Sequence, residues 1–224
     1  MEQHIVKILS IEAITHNVNR YRIEKPSGYK FTPGQATDVS INTEKLKDEK
    51  RSFTFTSLND DSFLEFTIKS YNDHEGVTNA LGKLKAGNEL IIGDVWGAIH
   101  FKGPGVFIAG GAGVTPFIAI LRDLNNDHKI NGNKLMFSNK TTKDIILKDE
   151  FEKMLGDNFF NIISDEKTDK YETGYLNKDI LKKHAGNFEQ YFYICGPPSM
   201  IDAVEIMLKE LGTDEKFIVK EDFS

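Results

Sequence analysis

Up to about residue 102 the apolar positions come in short runs, several of them alternating with polar ones. HIVKILSIEAI, YRIEKP, QATDVSI, SFTFTS, FLEFTIKSY and NELIIGDV are rich in β-branched and aromatic residues. Pro-Ser-Gly, Thr-Pro-Gly, Asn-Asp-Asp and Ala-Gly-Asn separate them. Strands at that spacing predict an antiparallel barrel or sandwich. One short helix is expected over residues 77–84, in VTNALGKL.

Beyond Lys102 the period changes. VFIAG is an unbroken apolar run ending in glycine, and the helical pattern PFIAILRDL follows it. KLMFSN, FFNIIS and YFYICG are further buried-type strands, and KFIVKEDF is a terminal run. DIILKDEFEKML, LNKDILKKH and SMIDAVEIMLKELG read as amphipathic helices between them. Continuous apolar strands alternating with helices predict a parallel sheet covered on both faces. The expected division is residues 1–102 as the antiparallel half and 103–224 as the α/β half.

Composition narrows the function classes. A chain of 224 residues with 39% hydrophobic positions can bury a core without disulfides or structural metals. The net charge of −6 has no basic cluster against it, which argues against nucleic acid as a partner. The single cysteine, Cys195, excludes a disulfide framework and a cysteine-ligated zinc or iron–sulfur centre on this chain. The six histidines show no ligand spacing, so no metal site is expected. Residues 103–121 are uncharged, but five glycines and two prolines make them strand, turn and helix rather than a membrane span. No basic n-region with an apolar stretch opens the chain, so a cytoplasmic protein that binds no membrane is expected.

Two loops in the second half point to a nucleotide. In VFIAGGAGVTPF, Gly110, Gly111 and Gly113 follow a buried strand and precede a helix. Glycine admits close backbone approach and positive φ. Val114 leads into Thr115, placed to cap the helix, and Pro116 suits its first turn. The free N–H groups there would face an anion; a tight turn with no ligand has the same glycines. The usual dinucleotide fingerprint is absent, since its third glycine falls on Pro116 and the next strand ends in Ser138-Asn139 without an acid. The second loop follows Cys195, with Gly196 and Pro197 turning into a helix. Cys195 is either part of a site at the sheet edge or a small buried hydrophobe.

In the first half, Arg51 heads RSFTFTS, either as an anion contact or as a solvated strand end. Gly76, Val77 and Thr78 stand at the start of the expected short helix, a second anion candidate.

With these residues the chain resembles the ferredoxin–NADP+ reductase superfamily over essentially its whole length. RSFTFTS is similar to the Arg-x-Tyr-Ser flavin motif, GGAGVTPF to the nicotinamide-nucleotide loop and CGPPSM to the Cys-Gly-Pro-Pro motif, in the same order and spacing. The resemblance implies an N-terminal antiparallel flavin-binding β-barrel followed by a C-terminal parallel-sheet NAD(P)-binding domain. FAD, rather than FMN, would lie between them. It implies that Arg51 contacts the flavin diphosphate, Phe53 packs on the isoalloxazine and the Thr54 hydroxyl approaches N5, with Ser52 in the same motif. Ile68 and Lys69 would lie on the second flavin strand, and Thr78 with Gly76 and Val77 at the diphosphate helix. Thr115 and Cys195 would line the nicotinamide pocket, and Phe223 would cover the other flavin face. Thr54 and Cys195 are thus the implied catalytic pair.

The sequence departs from the family pattern in places. Phe53 replaces tyrosine and keeps only the stacking. Thr54 keeps the hydroxyl and adds a methyl. Asp94-Val95 stands where a proline is common. The implied activity is electron transfer from NADH or NADPH through FAD to a separate acceptor such as flavodoxin, ferredoxin or an oxygenase component. Two alternatives are a flavin-binding electron-transfer or regulatory subunit that does not turn over NAD(P)H alone, and a binding module without flavin. Where NADPH-specific members carry Ser-Arg, this chain has Ser164-Asp165-Glu166. Asp165 would repel a 2′-phosphate and favour NADH, unless it merely opens a solvated acidic turn.

Overall fold

The computed structural model describes residues 2–70, 76–97 and 99–220. Phe223 lies outside the described residues. The first half holds six strands: β1 (His4–Thr15), β2 (Val18–Glu24), β3 (Ala36–Ile41), β4 (Arg51–Thr54), β5 (Phe63–Lys69) and β6 (Glu89–Trp96). They form one antiparallel sheet in the order β4-β3-β6-β1-β2-β5. Just past β4, Phe55 bridges Phe66 of β5, so the two edge strands meet and the sheet closes on itself. Closure removes the unpaired edges an open sheet would leave. The inward residues fill the interior, Val6 and Ile8 from β1, Tyr21 and Ile23 from β2, and Leu64, Phe66 and Ile68 from β5. Phe55 is fully buried there, stacked on Phe31 with ring centroids 4.3 Å apart.

The short helix α1 (Val77–Leu81) is three residues shorter than its apolar spacing suggests. Gly82 ends it, because glycine in a helix interior costs ~1 kcal/mol relative to alanine.

The second half is a parallel sheet in the order β10-β9-β8-β7-β11-β12. Its strands are β7 (Gly105–Gly110), β8 (Lys134–Asn139), β9 (Phe159–Ile163), β10 (Glu172–Thr173), β11 (Tyr191–Cys195) and β12 (Ile218–Lys220). β7 is buried along its whole length. Helices α2 (Thr115–Asn126) and α3 (Lys148–Leu155) cover one face through Phe117, Leu121, Phe151 and Leu155. Helices α4 (Lys178–Ala185) and α5 (Pro198–Glu210) cover the other through Ile180, Leu181, Val204 and Leu208. From β7 the chain moves outward through β8, β9 and β10, then returns to β11 on the opposite side of β7. The order therefore reverses between β7 and β11. In an open α/β sheet the crevice at such a reversal, beyond the strands' C-terminal ends, is where ligands bind. No described helix is long and apolar enough to cross a membrane.

The halves are joined by more than the chain. Val18 and Ile99 belong to the core of the second half. The Tyr193 hydroxyl accepts from the Lys102 and Gly103 amides at 2.9 and 3.0 Å and donates to the Gly103 carbonyl at 2.7 Å, pinning the connection between the halves. Burial pushes the Tyr193 phenol above its ordinary pKa, against the pull of those two amides.

Tyr193→Phe strands two amides and a carbonyl at the connection. An unfolding free energy lower by about 1–3 kcal/mol is expected from urea denaturation. An unchanged midpoint would mean that water replaces the hydroxyl there without loss.

Candidate active site at the junction of the two sheets

A cleft of about 1180 Å³ runs between the barrel and the open ends of the parallel strands. It is larger than the ~300–1,000 Å³ usual for one small ligand. Its walls come from opposite halves of the sequence.

On the barrel side it is lined by Ser52, Phe53 and Thr54 of β4, by Thr67, Ile68 and Lys69 of β5, and by Thr78 of α1. Phe53 is half-buried, with its ring 6.3 Å from that of Phe66, so the barrel core fixes one side of it. Thr54 pairs with Ala36 in the ladder and is only half-buried, which leaves its hydroxyl in reach of a ligand. Ser52 Oγ donates to Asp38 at 2.8 Å and is committed to the strand. Arg51 is exposed, donates to the Lys50 carbonyl at 2.6 Å and does not line the cleft. Gly76 and Val77 do not line it either, and Val77 packs into the barrel core.

On the α/β side the lining includes Gly110, Gly111, Gly113, Thr115 and Pro116, facing Cys195, Gly196 and Pro197. Val114 is buried beneath the loop. The glycines do not share one purpose. A Cβ on Gly113 would stand 2.4 Å from the Cys195 carbonyl oxygen, and one on Gly110 would stand 2.5 Å from Met200 Sδ. Those two glycines let the β7 and β11 loops lock together. Gly111 alone combines a positive φ of 52° with open space around its missing Cβ. It is the glycine that leaves backbone bare to the cleft.

Thr115 is not the helix cap expected from its position. Residues 111–114 form a 3-10 turn, and the Thr115 hydroxyl donates back to the Ala112 carbonyl at 3.0 Å. The positive φ at Gly111 inserts that turn before α2, so the side chain braces the loop rather than an amide of the helix. Cys195 is 5% exposed and still reaches the cleft, so it is both a buried side chain and a lining residue.

Farther along the same edge lies Asp165, exposed on the rim. Its amide donates to the Lys140 carbonyl at 2.8 Å and its carboxylate accepts from Ser164 Oγ at 2.6 Å. The neighbouring Glu166 is tied to the Thr142 amide at 2.8 Å and faces the loop after β8. Lys140 also lines the cleft.

Two lining residues escaped the motif reading. Asn139, at the end of β8, is 6% exposed, and neither amide atom has a hydrogen-bond partner among the described residues. A buried, unpaired carboxamide at a cleft wall is what a polar ligand would satisfy. Its position at the tip of a buried strand was the available signal. Tyr175 follows Gly174 in the loop before α4 and is 76% exposed at the lip. A lone aromatic in a polar loop gave no motif to read. A half-buried aromatic ring with hydroxyls beside it, a bare glycine backbone and an unsatisfied carboxamide fit a flat conjugated cofactor and a dinucleotide sharing one cleft.

Comparisons with known proteins agree with this geometry. Residues 5–104 match the oxidoreductase FAD-binding domain family, and residues 107–205 match the oxidoreductase NAD-binding domain family. The chain belongs to the ferredoxin–NADP+ reductase superfamily of oxidoreductases, with an FAD-binding domain followed by an NAD-binding domain. It is 27% identical over 236 residues to the reductase component of propane 2-monooxygenase from Rhodococcus jostii, covering 97% of this chain and 63% of that protein. It is 29% identical over 218 residues to NADH-cytochrome b5 reductase 2 of Mycosarcoma maydis, covering 87% of this chain and 61% of that one. The chain thus spans somewhat under two thirds of the length of these two relatives. Its fold superimposes on a ferredoxin NADP+ reductase from Neisseria gonorrhoeae, solved with bound FAD and NADP. The TM-score is 0.84 at 18% identity, and 98% of each chain is covered.

The two kinds of glycine separate in a stability measurement. Gly113→Ala drives a methyl into backbone and is expected to cost about 1–3 kcal/mol. Gly111→Ala meets no atom and should cost only the ~1–2 kcal/mol of a left-handed backbone. Thermal melts of the two variants check the order. A Gly111 variant clearly less stable than the Gly113 variant would contradict the interlocked loops.

Proposed function

We propose that this chain is a reductase unit that takes two electrons from a nicotinamide nucleotide and passes them to a separate acceptor protein. The observation that carries this reading is the single cleft that brings Phe53, Thr54 and Ile68 from the barrel to Gly111, Thr115 and Cys195 from the α/β half. FAD held there would supply the redox chemistry that takes up hydride from the nicotinamide and hands the electrons on. Phe53 would pack against the ring system, with its own far side held by the barrel core. The Thr54 hydroxyl would hydrogen-bond the ring edge where hydride arrives. Ile68 and Lys69 would form the neighbouring wall, with Thr78 toward the diphosphate. The exposed guanidinium of Arg51, bonded among the described residues to the Lys50 carbonyl, would reach that diphosphate by swinging away from it. Gly111 would present bare backbone to the nucleotide, and Cys195 and Thr115 would bound the nicotinamide. Asn139 would satisfy its carboxamide on the nucleotide, and Tyr175 would offer a face to the base.

The 224 residues contain one cysteine and so cannot ligate an iron–sulfur cluster by themselves. The proposed acceptor is in the class of an oxygenase component, a ferredoxin or flavodoxin, or a small haem protein.

The reading is tested by loading the purified chain with FAD and mixing it anaerobically with NADH. Bleaching of the flavin band within seconds, with reoxidation by ferricyanide, is the expected result. Flavin that binds but is not bleached by either nicotinamide nucleotide would mark an electron-transfer or regulatory subunit. A chain that takes up no flavin would overturn the reading.

NADH is the proposed donor, because the Asp165 carboxylate on the rim disfavours a 2′-phosphate and accepts from ribose hydroxyls. Asp165→Arg should move the ratio of kcat/KM values about tenfold toward NADPH, equivalent to ~1.4 kcal/mol. The comparison is made at low salt, where surface charge is least screened. A wild-type preference for NADPH would defeat the Asp165 argument.

A further inference from the structure

Arg122 lies on α2, whose first residues, Thr115 and Pro116, line the cleft. Seven residues separate it from Thr115, roughly two helical turns or ~10 Å of axis. Its side chain leaves the α/β half and enters the barrel. Nη1 donates to the Thr56 carbonyl at 2.5 Å and to Glu65 Oε1 at 2.7 Å. Nε and Nη2 form a two-pronged contact with Glu150 of α3 at 2.5 and 2.9 Å. One planar group thus engages three elements.

The barrel partners are buried and fully committed. The Glu65 side chain is 2% exposed. It also accepts from Thr56 Oγ1 at 3.0 Å and from Arg22 Nε at 3.1 Å. Burial alone would raise the Glu65 carboxyl, but the Arg122 charge, with the hydrogen bonds from Arg122 and Arg22, holds it below the usual carboxylate range. Burial likewise opposes the charge on Arg122, and Glu150 and Glu65 outweigh that too. Both groups are therefore ionised and locked.

The anchor points sit beside the cleft wall. Thr56 is two residues beyond Thr54. Glu65 is three residues before Ile68 on β5. At its other end Arg122 rides on the helix that carries the nucleotide loop. A tilt of the α/β half against the barrel would have to break these contacts before it changed the distance from Thr115 to Thr54.

We propose that Arg122 is a positioning residue that sets the approach of the nicotinamide to the flavin, acting through Thr56 and Glu65 on one side and α2 on the other. This rests on the reductase reading above. Glu150 has the second part. Its two-pronged grip orients the guanidinium plane, so that Nη1 can reach only the barrel. Lysine, a compact charge with three rotatable donors and no planar fork, cannot grip Glu150 in two prongs and reach the barrel in the same geometry. Hydride transfer needs reacting atoms at ~3–3.5 Å, so a small tilt slows it strongly while each half keeps its own ligand.

The test uses the FAD-loaded full chain in anaerobic stopped flow with NADH, comparing Arg122→Lys and Glu150→Gln with wild type. Glu150 is on the wetter side of the contact, with its side chain 31% exposed, and Glu150→Gln keeps both charges of the Arg122–Glu65 pair while loosening the grip that orients the guanidinium plane. The limiting rate of flavin reduction should fall at least tenfold in Arg122→Lys and about threefold to tenfold in Glu150→Gln. Flavin content should be unchanged, and apparent NADH affinity should move less than threefold. The long-wavelength charge-transfer absorbance on mixing should weaken in parallel. If Arg122→Lys does not fold, Glu150→Gln decides alone. Limiting rates and charge-transfer bands equal to wild type, with only the melting temperature lowered, would overturn the proposal and leave Arg122 as domain glue. Failure of wild type itself to be reduced would instead sink the reductase reading on which it rests.

Discussion

The buried contact between Arg122 and Glu65 joins two halves whose cores meet only at their border, where Val18 and Ile99 enter the second core. A barrel closed on itself and a parallel sheet covered on both faces each satisfy their own hydrogen bonds. The cleft exists only where they face each other. The contacts that hold their relative placement include the Tyr193 hydroxyl on the connecting turn, Val18 and Ile99 inserted into the second core, and the Arg122 cluster. An ion pair so deep adds little stability against an apolar pair of equal shape, but its loss is costly once one partner is left buried. Its strength is directional, and direction is what a cleft between two bodies requires.

The topology supplies the rest. Reversal of strand order between β7 and β11 opens the crevice at their C-terminal ends, and the interlock of Gly110 and Gly113 with the Cys195–Pro197 loop gives it a rigid floor. On the facing wall, β4 is short and lies at the seam where the barrel closes, so its residues reach outward instead of filling the barrel. Phe53 illustrates the arrangement, with one side against Phe66 and the other in the cleft. The family match assigns FAD binding to the half that forms the barrel and NAD binding to the half that forms the parallel sheet.

Much of this was legible in the chain. Runs such as VFIAG and YFYIC read as central strands because they carry no charged residue on either face, and all but Tyr191 are buried. Alternating runs such as FLEFTIK lie at the barrel wall as expected. Three motifs in order, one on β4 and two on loops of the α/β half, marked both sides of the cleft, with Arg51 standing outside it. What stayed hidden depends on distance in three dimensions. Gly110 and Gly113 line the cleft as expected of ligand glycines, but they also admit a neighbouring loop, a second use with no local signal. Thr115 looked like a cap until Gly111 set a 3-10 turn before it. Arg122 looked like any polar position on an amphipathic helix, since nothing local distinguishes an arginine that crosses to another domain. Asn139 and Tyr175 belong to no motif and are recognised only by their place on the cleft wall.

The central claim is that one cleft, bounded by Phe53 and Thr54 on one side and Thr115 and Cys195 on the other, holds the flavin and the nicotinamide together. A crystal structure of the chain grown with FAD and NAD+ tests it most directly. The account predicts the isoalloxazine against Phe53 with N5 toward the Thr54 hydroxyl, and the nucleotide along the Gly111 loop toward Asn139 and Asp165. Flavin density elsewhere on the barrel, or a nucleotide bound away from the β7 and β11 ends, would contradict it.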